Sequence, residues 1–197
     1  MPLVLTKHTT KHKQMKTSLH AAAIFAALSA TVLAGCGGGN PQEEAEKAVM
    51  AFVTAAGNGD FKTADELAYC ADSNEAQTWA AVKVLSKKYE TASDEELKNL
   101  PPMPILACDF EVLHADALDT VLSAYDPMKD EDSKAELALN DITDVRVVPL
   151  KFTFRQRWAK LNEHSKHVGF ILAVKQKGKW KSTVQLNPLD VDLEDLK

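Results

Sequence analysis

The chain has 197 residues, 45% of them hydrophobic, a composition that suits a globular core and excludes a disordered or fibrous chain. Lys7, Lys11, Lys13 and Lys16 precede Cys36, and no acidic residue precedes Glu43. From Cys36 onward 19 cations therefore face 28 anions, a formal charge of −9, which excludes attraction to nucleic acid or to anionic headgroups as the main interaction.

The amino-terminal lysines are followed by an apolar run from Leu19 to Leu33. At about fifteen residues it is long enough for the apolar region of a secretory signal and short of the ~20 needed to span a bilayer. It closes on Leu33-Ala34-Gly35-Cys36, which resembles a bacterial lipobox. That resemblance implies cleavage before Cys36, acylation of its thiol and attachment to a membrane through lipid, each buried CH₂ contributing about 0.8 kcal/mol. Gly37, where some enteric bacteria place a retention Asp, implies the outer membrane, facing periplasm or cell surface. Met15-Lys16-Thr17-Ser18-Leu19 makes a compact signal start by itself, so Met15 is the expected initiator. The expected organisation is a signal peptide over 1–35, a lipidated cysteine and glycine tether over 36–41, one domain over 42–188 and an acidic tail over 189–197.

Cys70 and Cys108 remain. In an oxidising compartment such a pair often closes, stabilising by roughly 3–4 kcal/mol on the chain-entropy account. Two buried free thiols are the alternative, and redox or metal chemistry finds no C-x-x-C to support it.

Asn40 as N-cap, Pro41 and acidic Glu43 and Glu44 open a helix with an apolar stripe at Ala45, Ala48, Val49, Phe52, Val53 and Ala56. Gly57-Asn58-Gly59 ends it, and Asp60 caps a second helix through Ala71. A third runs from about Asn74 to Tyr89, and a short acidic one from Ser93 to Leu100, stopped by Pro101-Pro102-Met103-Pro104. Strands are then expected at Ile105–Leu113 and Thr120–Tyr125, with at least one in Ala135–Val148 and a charged loop over Met128–Lys134. Leu150, Phe152, Phe154, Gln156 and Trp158 alternate with Lys151, Thr153, Arg155 and Arg157, a half-buried strand. Leu161–Lys166 reads as a turn, Val168–Val174 as a strand, and Lys177-Gly178-Lys179 as a tight turn into Trp180–Leu186. Short turns make these three strands antiparallel. Helices first and strands after predict an α+β fold, the helices on one face of a curved antiparallel sheet.

Ala48-Val49-x-x-Phe52-x-x-Ala55-x-x-x-Gly59-Asp60-Phe61-x-x-Ala64 resembles the opening of NTF2-like (cystatin-like) lipoproteins of the DUF4878 type. The closing Gly178-Lys179-Trp180-Lys181 is similar to their last hairpin, while residues 90–145 are longer and less regular than the family pattern. The resemblance implies a cone of bent sheet around helices, often with a cavity at its wide end, and pairing of two copies through their sheets. It implies no reaction, because the fold hosts enzymes, binders and scaffolds.

Candidate chemistry is sparse. His164 and His167, with Glu163, have the spacing of metal ligands but sit by a polar turn, so no metal and no cofactor is expected. His114 with Asp116 could form an acid–base pair of the kind used by isomerases of the NTF2-like fold. Trp79, Phe110, Phe152, Phe154, Trp158, Phe170 and Trp180 read first as core, with Phe154, Trp158 and Phe170 as candidates for lining a small apolar ligand. Lys151, Arg155, Arg157 and Lys160 form a basic stripe able either to contact an acidic partner or to pair locally. Without a nucleophile or phosphate-loop signature the expected function is non-enzymatic: a tethered domain binding a protein partner or small ligand. A periplasmic immunity protein and a small-molecule isomerase or dehydratase are the alternatives.

Overall fold

The computed structural model describes residues 39–100, 103–155, 166–191 and 196. Helix α1 (Pro41–Gly57) starts as its sequence dictates, the Gln42 amide donating to the Asn40 side chain and Pro41 taking the first helical position. Its stripe is buried from Ala45 to Ala56. The Thr63 amide donates to Asp60 to cap α2 (Phe61–Leu67), and this bonding holds the Asp60 carboxyl below its ordinary range. Helix α3 (Ser73–Thr91), capped by Asp72, completes the layer. Trp79 pins it, its ring 5.2 Å from Phe52 and 5.8 Å from Phe61 between centroids. The Trp79 indole N–H donates to Asp65 at 2.7 Å, and Lys83 reaches the same carboxylate at 2.9 Å. Burial pushes Asp65 up, but the bonds from Lys83 and Trp79 outweigh it and hold the carboxyl low.

The sheet comprises β1 (Ala68–Tyr69), β2 (Cys108–Val112), β3 (Ile142–Phe154), β4 (Lys166–Gln176), β5 (Lys179–Thr183) and β6 (Asn187–Leu189). It is curved and open, in the order β1-β5-β4-β3-β2, with β6 beside β4 beyond the end of β5. Only β1–β5 is parallel; the other pairs are antiparallel. The β4–β5 hairpin turns through Lys177 at φ +50° and Gly178 at φ +78°, the two positive values of a type I′ turn. Thus the fold is α+β, and the antiparallel order of β3, β4 and β5 follows the sequence expectation.

Both faces of this sheet are covered, where helices on one face were expected. Val148, Leu150, Ile171 and Ala173 pack under α1 and α3. Behind them, Val168 and Phe170 meet Leu118 and Leu122, while Val145 and Val174 meet Met128 and Leu137. That second cover comes from the segment expected to supply strands. Thr120–Tyr125 instead lies largely in helix α6 (Asp119–Ser123), and the expected charged loop gives way to a 3₁₀ turn at Pro127–Lys129 and helix α7 (Glu131–Leu139). Asp130 accepts from the Ser133 amide to cap α7, a signal that the charge run obscured. Pro104 opens a one-turn helix, α5 (Pro104–Ala107), rather than ending one, which shortens the expected 105–113 strand to β2. The acidic helix is α4 (Asp94–Leu97), with a capping box between Ser93 and Glu96. Near the carboxy terminus, Leu189 pairs with Val168, so the domain continues past the expected boundary at 188.

Pro149 decides where β2 stops. The Leu113 amide donates to the Pro149 carbonyl at 2.9 Å, so the side of Pro149 that lacks an N–H faces β2. The return bond cannot form, and the chain leaves β3 after Leu113. On the other side Pro149 stays in register with Phe170. From Val145 to Val148, the edge of β3 turned away from β4 therefore carries no strand among the described residues.

Candidate functional site

The two cysteines lie at opposite edges of the sheet. Cys70 follows β1 and Cys108 opens β2, four strand spacings apart, or roughly 19 Å laterally. A disulfide needs Cα atoms within about 7 Å, so the expected bridge does not form and both thiols are free. Burial pushes the Cys108 thiol up to about 12, and burial raises Cys70 as well, so neither is an activated nucleophile.

The apolar candidates do not share a pocket. The register sets Phe152 against His167 and Pro149 against Phe170, so Phe154 and Phe170 project from opposite faces. Phe154 packs with Tyr89, Leu97 and Cys108, Phe170 with Leu118 and Leu122, and each is core. Trp158 lies outside the described residues. The period-2 pattern showed each strand's alternation but not which phase of one strand faced which phase of its neighbour.

The basic stripe is neutralised within the fold where it can be seen. Lys151 pairs with Glu111 at 2.6 Å across β2 and β3. Arg155 donates to Asp109 at 2.9 Å and to the Gly57 carbonyl at 3.0 Å, fastening the end of α1 to the sheet. Arg157, Lys160, Glu163, His164 and Cys36 lie outside the described residues. His167 stacks on Phe152 at 5.2 Å and meets the edge of Phe154 at 5.4 Å, on the face that carries Tyr89 of α3.

One concave site does emerge, at the bare edge of β3. A cleft of about 380 Å³ lies between the first turns of α1, the segment that departs from β2, and β3 itself. Gln42 and Glu46 project into it from successive turns of α1, as an i, i+4 pair does. His114, Asp116 and Asp119 line the opposite side, with Leu122, Ser123, Asp126 and Lys129 beyond them and Val145 to Val147 with Pro149 along the strand. The Gln42 side-chain amide donates to Glu46 at 3.1 Å and to the Val147 carbonyl at 3.3 Å. Arg146 donates to Asp144 at 3.1 Å. No hydrogen bond or ion pair reaches the carboxylates of Asp116 and Asp119 among the described residues.

His114 and Asp116 are thus brought to this cleft, but both are exposed on its rim rather than enclosed in an apolar pocket. Sequence reasoning missed Gln42, Glu46, Asp119, Asp126, Lys129 and Arg146. Their only signal was a proline inside a strand pattern, which marks an edge without saying what lies beside it. Among the described residues no cluster of His, Cys, Asp or Glu is arranged to hold a metal ion, and no helix is long and apolar enough to cross a membrane. No protein-family model, curated protein or solved structure matches this chain.

Proposed function

We propose that this chain is an exported, lipid-anchored binding domain of the NTF2-like kind, held to the outer membrane through Cys36 and receiving a small polar ligand or partner side chain in the cleft at the edge of β3. The observation that carries the binding role is the cleft: its walls come from three separate parts of the chain and converge on a strand edge that no described strand pairs with. Rim exposure of His114 and Asp116 supports binding rather than the isomerase reading, which needs a carboxylate enclosed in an apolar pocket. Internal pairing of Lys151 and Arg155 turns the role away from the sheet's basic stripe. Export and anchoring rest on the lysine-rich start, the apolar run and the Leu33–Cys36 box.

Two measurements test this reading. In a diderm bacterium the full chain should incorporate radiolabelled palmitate and fractionate with the outer membrane, and Cys36→Ala should abolish both; a wild-type chain without label in the soluble fraction refutes the anchor. For the cleft, a thermal-shift panel of defined amines, carboxylates, sugars and phosphates should contain a class that stabilises the wild type. Ser123→Trp, which fills the cleft, should remove that stabilisation; a panel without effect, or a shift indifferent to Ser123→Trp, refutes the site.

A further inference from the structure

Taking that cleft as the binding site, we infer that the group it receives is an ammonium or guanidinium cation. The volume of about 380 Å³ suits a small diamine or the end of one Lys or Arg side chain rather than a folded partner. Its lining is rich in acceptors. Glu46, Asp116, Asp119 and Asp126 supply carboxylates, while of the two basic lining residues Arg146 is already engaged by Asp144, leaving Lys129. The backbone adds to the same imbalance. The Val147 carbonyl, on the same edge of β3, is a further acceptor and already meets the Gln42 side-chain amide.

The position of Gln42 makes the chemistry specific. Its side-chain nitrogen bridges the Glu46 carboxylate and the Val147 carbonyl, 3.1 and 3.3 Å away. A neutral N–H donor of this chain thereby occupies the place between two acceptors where a charged nitrogen donor would make stronger bonds. The carboxylates are too spread to form a metal-binding cluster among the described residues. A cation carrying several N–H donors over several ångströms, such as an alkyl ammonium or a guanidinium, fits such a spread better than a point charge.

Free amines and the basic side chains of a protein share this chemistry, and titration of the full chain separates them. Spermidine represents the first source and an acetylated, amidated Gly-Lys-Gly peptide the second. Saturable binding of either one, weakened about tenfold or more by the double variant Glu46→Gln/Asp119→Asn and by added salt, supports the inference and identifies the source. The variant Glu90→Gln, outside the cleft, should bind as wild type does, and circular dichroism verifies that each variant is folded. Equal affinity in the double variant overturns the inference, as does the absence of binding by both probes at about 10 mM. If instead an anion or a sugar of the panel binds in a manner sensitive to Ser123→Trp, the cation assignment fails while the cleft survives as a site. If nothing binds, both fail.

Discussion

Gly169→Ala tests the packing of β6 on β4. A Cβ added there would lie 2.7 Å from the Asn187 carbonyl oxygen, roughly 0.7 Å inside ordinary contact, and 3.2 Å from the Phe152 ring. Neither neighbour can yield cheaply. The carbonyl belongs to the strand whose Pro188 faces Gly169 directly, and the ring is buried in the core and stacked on His167. Forcing one methyl into a filled core costs about 1–3 kcal/mol, and displacing β6 would forfeit further backbone bonds at about 1 kcal/mol each. A loss near 2 kcal/mol lowers Tm by roughly 4–8 °C in a domain of this size. Circular-dichroism melts of wild type and variant measure it, and hydrogen exchange should show the Leu189 amide losing protection ahead of the β3–β4 ladder. Gly178→Ala is the comparator, because its Cβ meets nothing within 4 Å and the only cost is the positive φ, about 1 kcal/mol. If Gly169→Ala melts within about 1 °C of wild type, the close approach of β6 is wrong.

Further outcomes follow from other contacts. Thr183→Val should raise Tm by about 2–4 °C, since the buried Thr183 hydroxyl has no hydrogen-bond partner among the described residues and a methyl of the same shape removes about 1 kcal/mol of desolvation cost. Arg155→Ala should lower stability by about 1–2 kcal/mol in urea melts by releasing both Asp109 and the Gly57 carbonyl, and Arg155→Lys should recover only part of it. The folded Cys108 thiol titrates at about 12, above its unfolded value, so its contribution is intact below about pH 9 and is lost as pH rises towards 12; urea midpoints across that range should fall less steeply in Cys108→Ala than in wild type. Asp65 is shifted the other way, below its unfolded value, so its contribution is present above about pH 4 and is lost on acidification; Asp65→Asn should weaken the protein at neutral pH and blunt its acid transition.

Elements with local punctuation were legible in the sequence. Asn40-Pro41, Asp60 and the Gly178 turn each fix a backbone conformation by themselves, and α1, the start of α2 and the β4–β5 hairpin sit where those residues put them; α2 stops at Leu67 instead of running through Ala71, because Ala68–Tyr69 is taken into the sheet as β1 beside β5. Segment 113–139 was not legible. Its Ala, Lys, Glu and Leu residues favour helix, but no continuous apolar stripe marks one out, and its few apolar side chains (Leu118, Leu122, Leu137) acquire meaning only when the second face of the sheet needs covering. For the same reason Val168, Phe170, Leu172 and Val174 read as a single core face when β4 is enclosed on both, its other phase holding small or polar-tipped residues at Gly169 and His167. Of the cleft, the sequence singled out His114 and Asp116 alone. The rest depends on α1 crossing the sheet so that Gln42 reaches Val147, 105 positions further along the chain.

Placing Cys70 and Cys108 on far margins of one sheet makes the fold indifferent to the oxidation state of its surroundings. Such a domain needs no thiol oxidase or isomerase to mature, and a reductant strong enough to dismantle disulfide-stapled neighbours would leave its topology as it was.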